Sequence, residues 1–182
     1  MSGVVSGPAG GVVALAGNPR EGSRTLSVAV EAAETLGRRL GHDRPAEAVD
    51  LSALGPQLLS AVPSAGVEVA LDLVRGAGVL VVASPTYKGT YTGLLKAFLD
   101  RLPPAALAGT VALPLLVMGD ARHALAVEVH LRPLLVELGA TVPTPGLAVL
   151  EADLPRLGEV LGAWHDRIVP QVAATLGQGV TA

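Results

Sequence analysis

The sequence predicts an α/β domain in which helices cover both faces of a parallel sheet. Five short aliphatic runs alternate with segments whose apolar residues recur at helical spacing. This alternation is typical of parallel strands joined by right-handed crossovers. Half of the 182 residues are hydrophobic, yet only one Trp, two Tyr and one Phe are present. A core of Val, Leu and Ala suits strands that are buried on both faces.

Each strand is predicted from an aliphatic run that ends at a residue typical of turns. The first run, Val12–Ala16, ends at Gly17, and the third, Val79–Ala83, is closed by Ser84 and Pro85. The other strands are predicted at Ala46–Leu51, Val111–Met118 and Leu147–Leu150. Pro114 lies inside the fourth run, where it has no N–H for the ladder. Either that strand starts after Pro114 or a bulge lies there.

Five helices are predicted after these strands. Apolar positions recur from Leu26 to Leu40, and Gly41 ends that helix. The remaining helices are predicted at Val67–Arg75, Tyr91–Leu102, His123–Leu138 and Leu154–Leu176, and the segment 52–66 as a connection containing Pro, Gly and Ser.

Five strands in a chain of this length suit a flavodoxin-like three-layer sandwich with the parallel strand order 2-1-3-4-5. In such a sheet the ligand lies beyond the carboxyl ends of the strands. We expect the domain to span residues 11–176, between a flexible N-terminus at 1–10 and a flexible C-terminal tail at 177–182.

Composition and charge exclude several classes of function. A net charge of −3 provides no basic surface for nucleic acid. The chain has no cysteine for a disulfide or a thiolate site, and its four histidines lack a metal-ligand spacing, so no metal is expected. We see no signal peptide and no apolar run of membrane-spanning length. These features predict a cytoplasmic protein.

The predicted helix His123–Leu138 is apolar almost all round. A helix that covers one face of a sheet needs only one apolar stripe. The additional apolar residues predict a second buried face, in a homodimer or homotetramer. The alternative is that loops of the same chain cover the helix.

The segment from Gly17 to Thr25 has the composition of a phosphate-binding loop. It joins the first strand to a helix N-terminus, which offers free N–H groups and the positive end of the helix dipole. Asn18, Ser23 and Thr25 can donate hydrogen bonds to phosphate oxygens, and Arg20 adds a guanidinium.

Two better-known phosphate loops do not match this segment. Gly17 and Gly22 have the spacing of a P-loop, but Ser23-Arg24 stands where that motif has Lys-Ser/Thr. The Rossmann pattern GxGxxG is also absent. The loop suits one terminal phosphate, although its position alone also allows an ordinary turn with a capping Ser or Thr.

The loop after the third strand, Ser84 to Gly93, is predicted to lie beside the phosphate loop. In the order 2-1-3 the first and third strands are neighbours. Tyr87 can line a flat ring there, and backbone amides at 85–89 can reach the polar edge of that ring. The alternative is that Tyr87 is an exposed aromatic residue in a turn.

Together the two loops resemble the NADPH-dependent FMN reductase family. The stretch 17–25, GNPREGSRT, is similar to that family's GSxRxxSxT phosphate loop, with Asn18 in place of the usual Ser. SPTYKG at 84–89 and GLLKxxLD at 93–100 are similar to its flavin-ring loop and the following helix. The resemblance covers about residues 12–150.

This resemblance implies an NAD(P)H:flavin oxidoreductase that binds FMN and NADPH or NADH. The FMN phosphate would be held by Asn18, Arg20, Ser23 and Thr25; the ring would be bordered by Pro85, Thr86, Tyr87 and Lys88, with Gly119 near its far edge. No catalytic acid or base is implied, because the cofactors carry the hydride transfer.

The stretch from Val111 through Pro133 is similar to the branch that supplies reduced flavin to alkanesulfonate monooxygenases. The loop from Met118 to His123 departs from the two-glycine form of that branch, and Val129 stands where the branch has an additional aromatic residue. A monooxygenase partner is therefore one expectation among others.

Two other functions remain open from the sequence. One is a reductase that retains FMN and reduces quinones or azo compounds. The other is a flavodoxin-type electron carrier, which needs tight flavin binding and an acidic docking surface. The net charge of −3 and the position of the one Trp, at 164, argue against a carrier.

Overall fold

The computed structural model describes residues 10–177. Residues 1–9 and 178–182 lie outside the described part, and with them nearly all of the two termini that the sequence predicts to be flexible. The strands are β1 Val12–Ala16, β2 Glu47–Asp50, β3 Val79–Pro85, β4 Val111–Met118 and β5 Leu147–Leu150. They form one parallel sheet in the order β2-β1-β3-β4-β5, which confirms the predicted topology.

Helices lie on both faces of this sheet. They are α1 Arg24–Arg39, α2 Gly55–Leu58, α3 Ala65–Arg75, α4 Gly93–Leu99, α5 Arg132–Glu137 and α6 Leu157–Thr175. The predicted connection 52–66 contains α2, which follows a 3₁₀ turn at Leu51–Leu54. No helix within residues 10–177 has the length and apolar character needed to cross a bilayer.

Side-chain alternation along the strands divides the core into two layers. In β1, Val12 and Ala14 point into the layer that α1 and α6 cover, where Trp164 is fully buried. Val13 and Leu15 point into the opposite layer, which α3, α4 and α5 cover. Every residue of β1, β3 and β4 is buried, because these central strands are covered on both faces.

Pro114 lies inside β4, paired with Val82 of β3 in an unbroken register. Neither the late start nor the bulge expected from the sequence occurs. The N–H of Val111 bonds towards β3 and the N–H of Ala112 bonds to Thr141 on the other side. Since this direction alternates along a strand, the nitrogen of Pro114 faces the β5 side, where pairing starts only at Leu115. The ladder with β3 loses no donor.

The helix predicted at His123–Leu138 is present from Ala126 to Glu137, but it starts later than predicted and contains a π-helical turn. The segment consists of a 3₁₀ turn at Ala121–His123, a π-helical turn at Val127–Leu131 and α5. Pro133 accounts for the π-helical turn, because it has no N–H and would crowd the carbonyl of Val129 in a regular α-helix. The N–H of Arg132 instead bonds to the carbonyl of Val127, five residues earlier.

Candidate functional site

The phosphate loop and the loop after β3 meet at the carboxyl edge of the sheet. The N–H of Gly17 donates to the carbonyl oxygen of Ala83 at 2.8 Å. The hydroxyl of buried Thr92 donates to the carbonyl oxygen of Gly17 at 2.5 Å, and the N–H of Thr92 donates to Oγ of Ser84 at 3.0 Å. The two bonds of Gly17 join segments that are far apart in the sequence, by 75 positions in the case of Thr92, as the predicted strand order requires.

Gly17 allows α4 to pack directly against the end of β1. A Cβ added at position 17 would lie 2.5 Å from Cβ of Leu95, which is far inside van der Waals contact. The glycine is therefore needed for the close approach of the two loops, a role that the sequence motif alone did not reveal.

The phosphate loop is held in shape by its own polar side chains. Oδ1 of Asn18 accepts from the N–H of Arg20 at 3.0 Å, and Nδ2 of Asn18 donates to Oγ1 of Thr25 at 3.1 Å. Ser23 caps α1, since its Oγ accepts from the N–H of Leu26 at 3.2 Å. Gly22 has φ +60°, in the left-handed region where glycine is favoured. Asn18 thus braces the loop and keeps one Nδ2 proton for a ligand.

Several donors of this loop remain available for an anion. Helix geometry leaves the N–H groups of Arg24 and Thr25 without an intrahelical acceptor. The hydroxyl groups of Ser23 and Thr25 accept hydrogen bonds here, so their protons are available to donate. Arg20 is exposed and forms no ion pair with another residue in the range 10–177. This donor set fits a phosphate monoester.

The second loop ends in a tight hairpin turn. Tyr87 and Thr90 exchange backbone hydrogen bonds of 2.9 and 3.3 Å. Lys88 and Gly89 between them have φ of 53° and 83°, the positive pair that a type I′ turn requires. The N–H of Thr86 donates to the carbonyl oxygen of Val117 at 2.9 Å. The turn and this bond position Tyr87, whose residue surface is 41% exposed.

A cleft of about 570 Å³ connects the two loops, a volume in the range of small-molecule sites. Its lining residues are Asn18, Arg20, Glu21, Gly22, Ser23, Arg24, Thr25, Pro85, Tyr87, Val117 and Glu151. The structure therefore brings together six residues that the sequence nominated, from both loops. Thr86, Lys88 and Gly119, nominated for the ring, are not among the lining residues.

Glu151 is the lining residue that the sequence reasoning missed most completely. It follows β5, and its Oε1 lies 2.9 Å from Nη2 of Arg24, at the start of α1. The two residues are 127 positions apart, so no local motif contains both. The signal that was available is topological, because all parallel strands end at the same edge of the sheet. Within residues 10–177, no group of three or more His, Cys, Asp or Glu is arranged to hold a metal ion.

The strand order, together with a loop rich in hydrogen-bond donors after β1 and an aromatic-bearing loop after β3, is typical of a flavodoxin-like nucleotide-binding domain. The sequence profile of the NADPH-dependent FMN reductase family matches residues 11–153. An FMN reductase (NADPH) of Pseudomonas aeruginosa is 38% identical over 144 residues, which cover 78% of this chain and 77% of that protein. The chain belongs to the NADPH-dependent FMN reductase family.

Two further comparisons agree with this assignment. The NADH-dependent FMN reductase SfnE of Pseudomonas putida is 35% identical over 148 residues, which cover 79% of this chain and 78% of that protein. The apo structure of an NADH:FMN oxidoreductase (EMOB) superposes with a TM-score of 0.74 at 32% identity, over 87% of this chain and 90% of that one. The flavodoxin-like fold and the family predicted from the two loops are both confirmed.

Proposed function

We propose that this protein is an NAD(P)H-dependent FMN reductase whose flavin site is the cleft between the two loops. The observation that carries the proposal is the cleft itself, which joins a donor-rich phosphate loop to a partly exposed tyrosine beside buried Pro85 and Val117. One end of the cleft thus suits a phosphate monoester, and the other suits a flat aromatic ring. Membership of the NADPH-dependent FMN reductase family likewise points to FMN and a reduced nicotinamide nucleotide as the substrates.

The residues divide into those that bind phosphate and those that border the ring. Asn18, Arg20, Ser23 and Thr25 would hold the phosphate through the donors described above. Pro85 and Tyr87 would border the ring and limit the access of water to it. We keep Thr86, Lys88 and Gly119 as proposed neighbours of the ring, although they do not line the cleft. When bound, the flavin supplies the ring that accepts hydride from reduced nicotinamide. The protein contributes position and polarity, and no side chain needs to act as an acid or base.

The first experiment measures oxidation of NADPH and of NADH by the purified protein, with and without added FMN. An FMN reductase oxidises the nucleotide only when FMN is present, because hydride passes to FMN, and oxygen then reoxidises the released reduced FMN. Oxidation that requires a quinone or an azo dye, by protein that keeps its flavin through dialysis, would instead support the quinone or azo reductase. Flavin-loaded protein that never oxidises NAD(P)H would be an electron carrier.

The second experiment tests the phosphate loop through binding alone. Arg20→Ala should weaken FMN binding about tenfold, the lower end of the range for a charged hydrogen bond because Arg20 is exposed. Riboflavin, which lacks the phosphate, should bind both proteins alike. Arg44→Ala is the matched control, since Arg44 is also exposed and lies away from the cleft. Equal FMN affinity of wild type and Arg20→Ala would remove Arg20 from the site.

We further propose that the protein is a homodimer or homotetramer that associates through the segment 123–138. Three apolar side chains of this segment are exposed within one chain: Leu125 by 67%, Val129 by 50% and Val136 by 53%. Contact of this apolar surface with water is unfavourable, and a partner surface would remove it. Light scattering should give at least twice the chain mass, and Val129→Glu should reduce it. Val62→Glu, at a 71% exposed position elsewhere, should not. A monomeric wild type would contradict the proposal.

Finally, we propose that the reduced flavin is delivered to a flavin-dependent monooxygenase in the cytoplasm. The support is the resemblance of the stretch from Val111 to Pro133 to reductases of such systems, and the use of nicotinamide nucleotides that the cytoplasm holds. The test is a coupled assay, in which oxygenation by a candidate monooxygenase depends on this protein, FMN and NAD(P)H together. Oxygenation that proceeds equally without this protein would refute the partnership.

A further inference from the structure

Two positive side chains line the cleft, and one of them is already paired. Arg20 and Arg24 both line it, and so does Glu151. Glu151 accepts a hydrogen bond from Nη2 of Arg24 at 2.9 Å, across the gap between the start of α1 and the end of β5. The side chains of Arg24 and Glu151 are 63% and 45% exposed, so the pair lies at the mouth of the cleft rather than in the core.

We propose that Glu151 draws the guanidinium of Arg24 away from the phosphate end of the cleft and so keeps FMN weakly bound and exchangeable. The inference rests on the proposed function, because it concerns the same phosphate end. Arg24 occupies the first turn of α1, directly after Ser23, so an unpaired guanidinium there would add to the field of the helix N-terminus. Glu151 competes with the phosphate for that guanidinium. A flavin that serves as substrate must leave in each cycle, and this competition favours its release.

The competition is modest in size because both partners are exposed. Exposed ion pairs contribute little, typically less than a factor of about five in an equilibrium constant. Replacing Glu151 by Gln removes the competing charge and keeps the side-chain shape. We therefore expect Glu151→Gln to lower the FMN dissociation constant about threefold to fivefold, to slow FMN release, and to leave riboflavin binding unchanged. High salt should reduce the difference, since it screens exposed charges.

The experiment measures FMN and riboflavin dissociation constants by flavin fluorescence, and FMN release by stopped flow. It compares wild type, Glu151→Gln and the double variant Arg24→Gln/Glu151→Gln. The double variant should lose the tighter FMN binding, because the gain depends on Arg24. Asp72→Asn is the control for net charge: it removes a carboxylate from the exposed pair with Arg75, whose two members lie on α3. Its FMN affinity should equal that of wild type.

Each outcome decides one question. Unchanged FMN affinity in Glu151→Gln would overturn the inference, as would an equal change for FMN and riboflavin, because the effect would then not pass through the phosphate. A gain that persists without Arg24 would overturn it as well. If wild-type protein binds FMN no better than riboflavin, the phosphate site of the proposed function fails instead. Tighter FMN binding that requires Arg24 and spares riboflavin would establish the role of Glu151.

Discussion

Replacing Thr92 by Val should separate the two loops from each other and destabilise the whole domain. Thr92 is 3% exposed, and its hydroxyl forms two hydrogen bonds. It donates to the carbonyl oxygen of Gly17 at 2.5 Å and accepts from the N–H of Leu95 at 3.1 Å, which caps α4. Valine has nearly the same shape, so the substitution leaves no cavity and tests the hydrogen bonds alone.

The expected loss has two parts. Removal of a helix N-cap costs about 1 kcal/mol. A buried carbonyl left without a donor, here that of Gly17, costs about 1–3 kcal/mol. The free energy of unfolding should therefore fall by about 2–4 kcal/mol in Thr92→Val. FMN binding should weaken as well, because the carbonyl of Gly17 anchors the start of the phosphate loop.

Urea unfolding followed by circular dichroism measures the first effect, and flavin fluorescence measures the second. Thr92→Ser is the matched control, because it keeps both hydrogen bonds and loses one buried methyl group, worth about 1 kcal/mol. Surface substitutions usually change the free energy of unfolding by less than about 0.5 kcal/mol. A change no larger than this in Thr92→Val would refute the reasoning.

Three further predictions concern stability. Burial lowers the pKa of His165 from 6.5 to about 4. As the pH falls, this histidine therefore takes up its proton in the unfolded chain before it does so in the folded chain. The free energy of unfolding should decrease between about pH 6.5 and pH 4, by at most about 3 kcal/mol. His165→Gln should flatten this dependence in urea titrations at several pH values, and an unchanged slope would contradict it. Gly17→Ala should cost about 1–3 kcal/mol by overpacking against Leu95, and a neutral result in thermal melts would show that α4 can shift. Gly162→Ala, within α6 with open space around the new Cβ, should instead raise stability by about 1 kcal/mol, which a lowered melting temperature would disprove.

The sequence predicts most of the fold because the strand signals are local. Three of the five strands, β1, β4 and β5, have the predicted bounds, since an aliphatic run that ends at a glycine or a charged residue marks a strand without reference to the rest of the chain. Pro114 shows the limit of that reasoning. Its effect depends on which neighbour its nitrogen faces, and only the pairing of β4 decides that.

The π-helical turn within the helix predicted at His123–Leu138 was missed for a related reason. Its apolar pattern is helical, and hydropathy alone carries no information about whether a turn holds α or π hydrogen bonds. The deciding features are Pro133 and a network that reaches outside the segment. Glu128 bonds to Arg132 and accepts from the N–H of Gly146 at 2.6 Å, while Arg132 donates to the carbonyls of Val142 and Thr144. These bonds hold the π-helical turn against residues 142–146. The spacing of apolar residues within the helix gives no information about such contacts.

In the candidate site, too, the sequence predicts the residues that lie together in one loop but not the contacts between segments that are far apart. Asn18, Ser23 and Thr25 follow one strand within a single loop, so their hydrogen-bonding residue types are visible together in the sequence. Arg24 lies in the same stretch of sequence, but its pairing with Glu151 cannot be predicted from that stretch, because Glu151 follows the last strand. The composition of a βα loop therefore predicts what it binds, whereas how firmly it binds depends on which groups the other strands bring to the same edge.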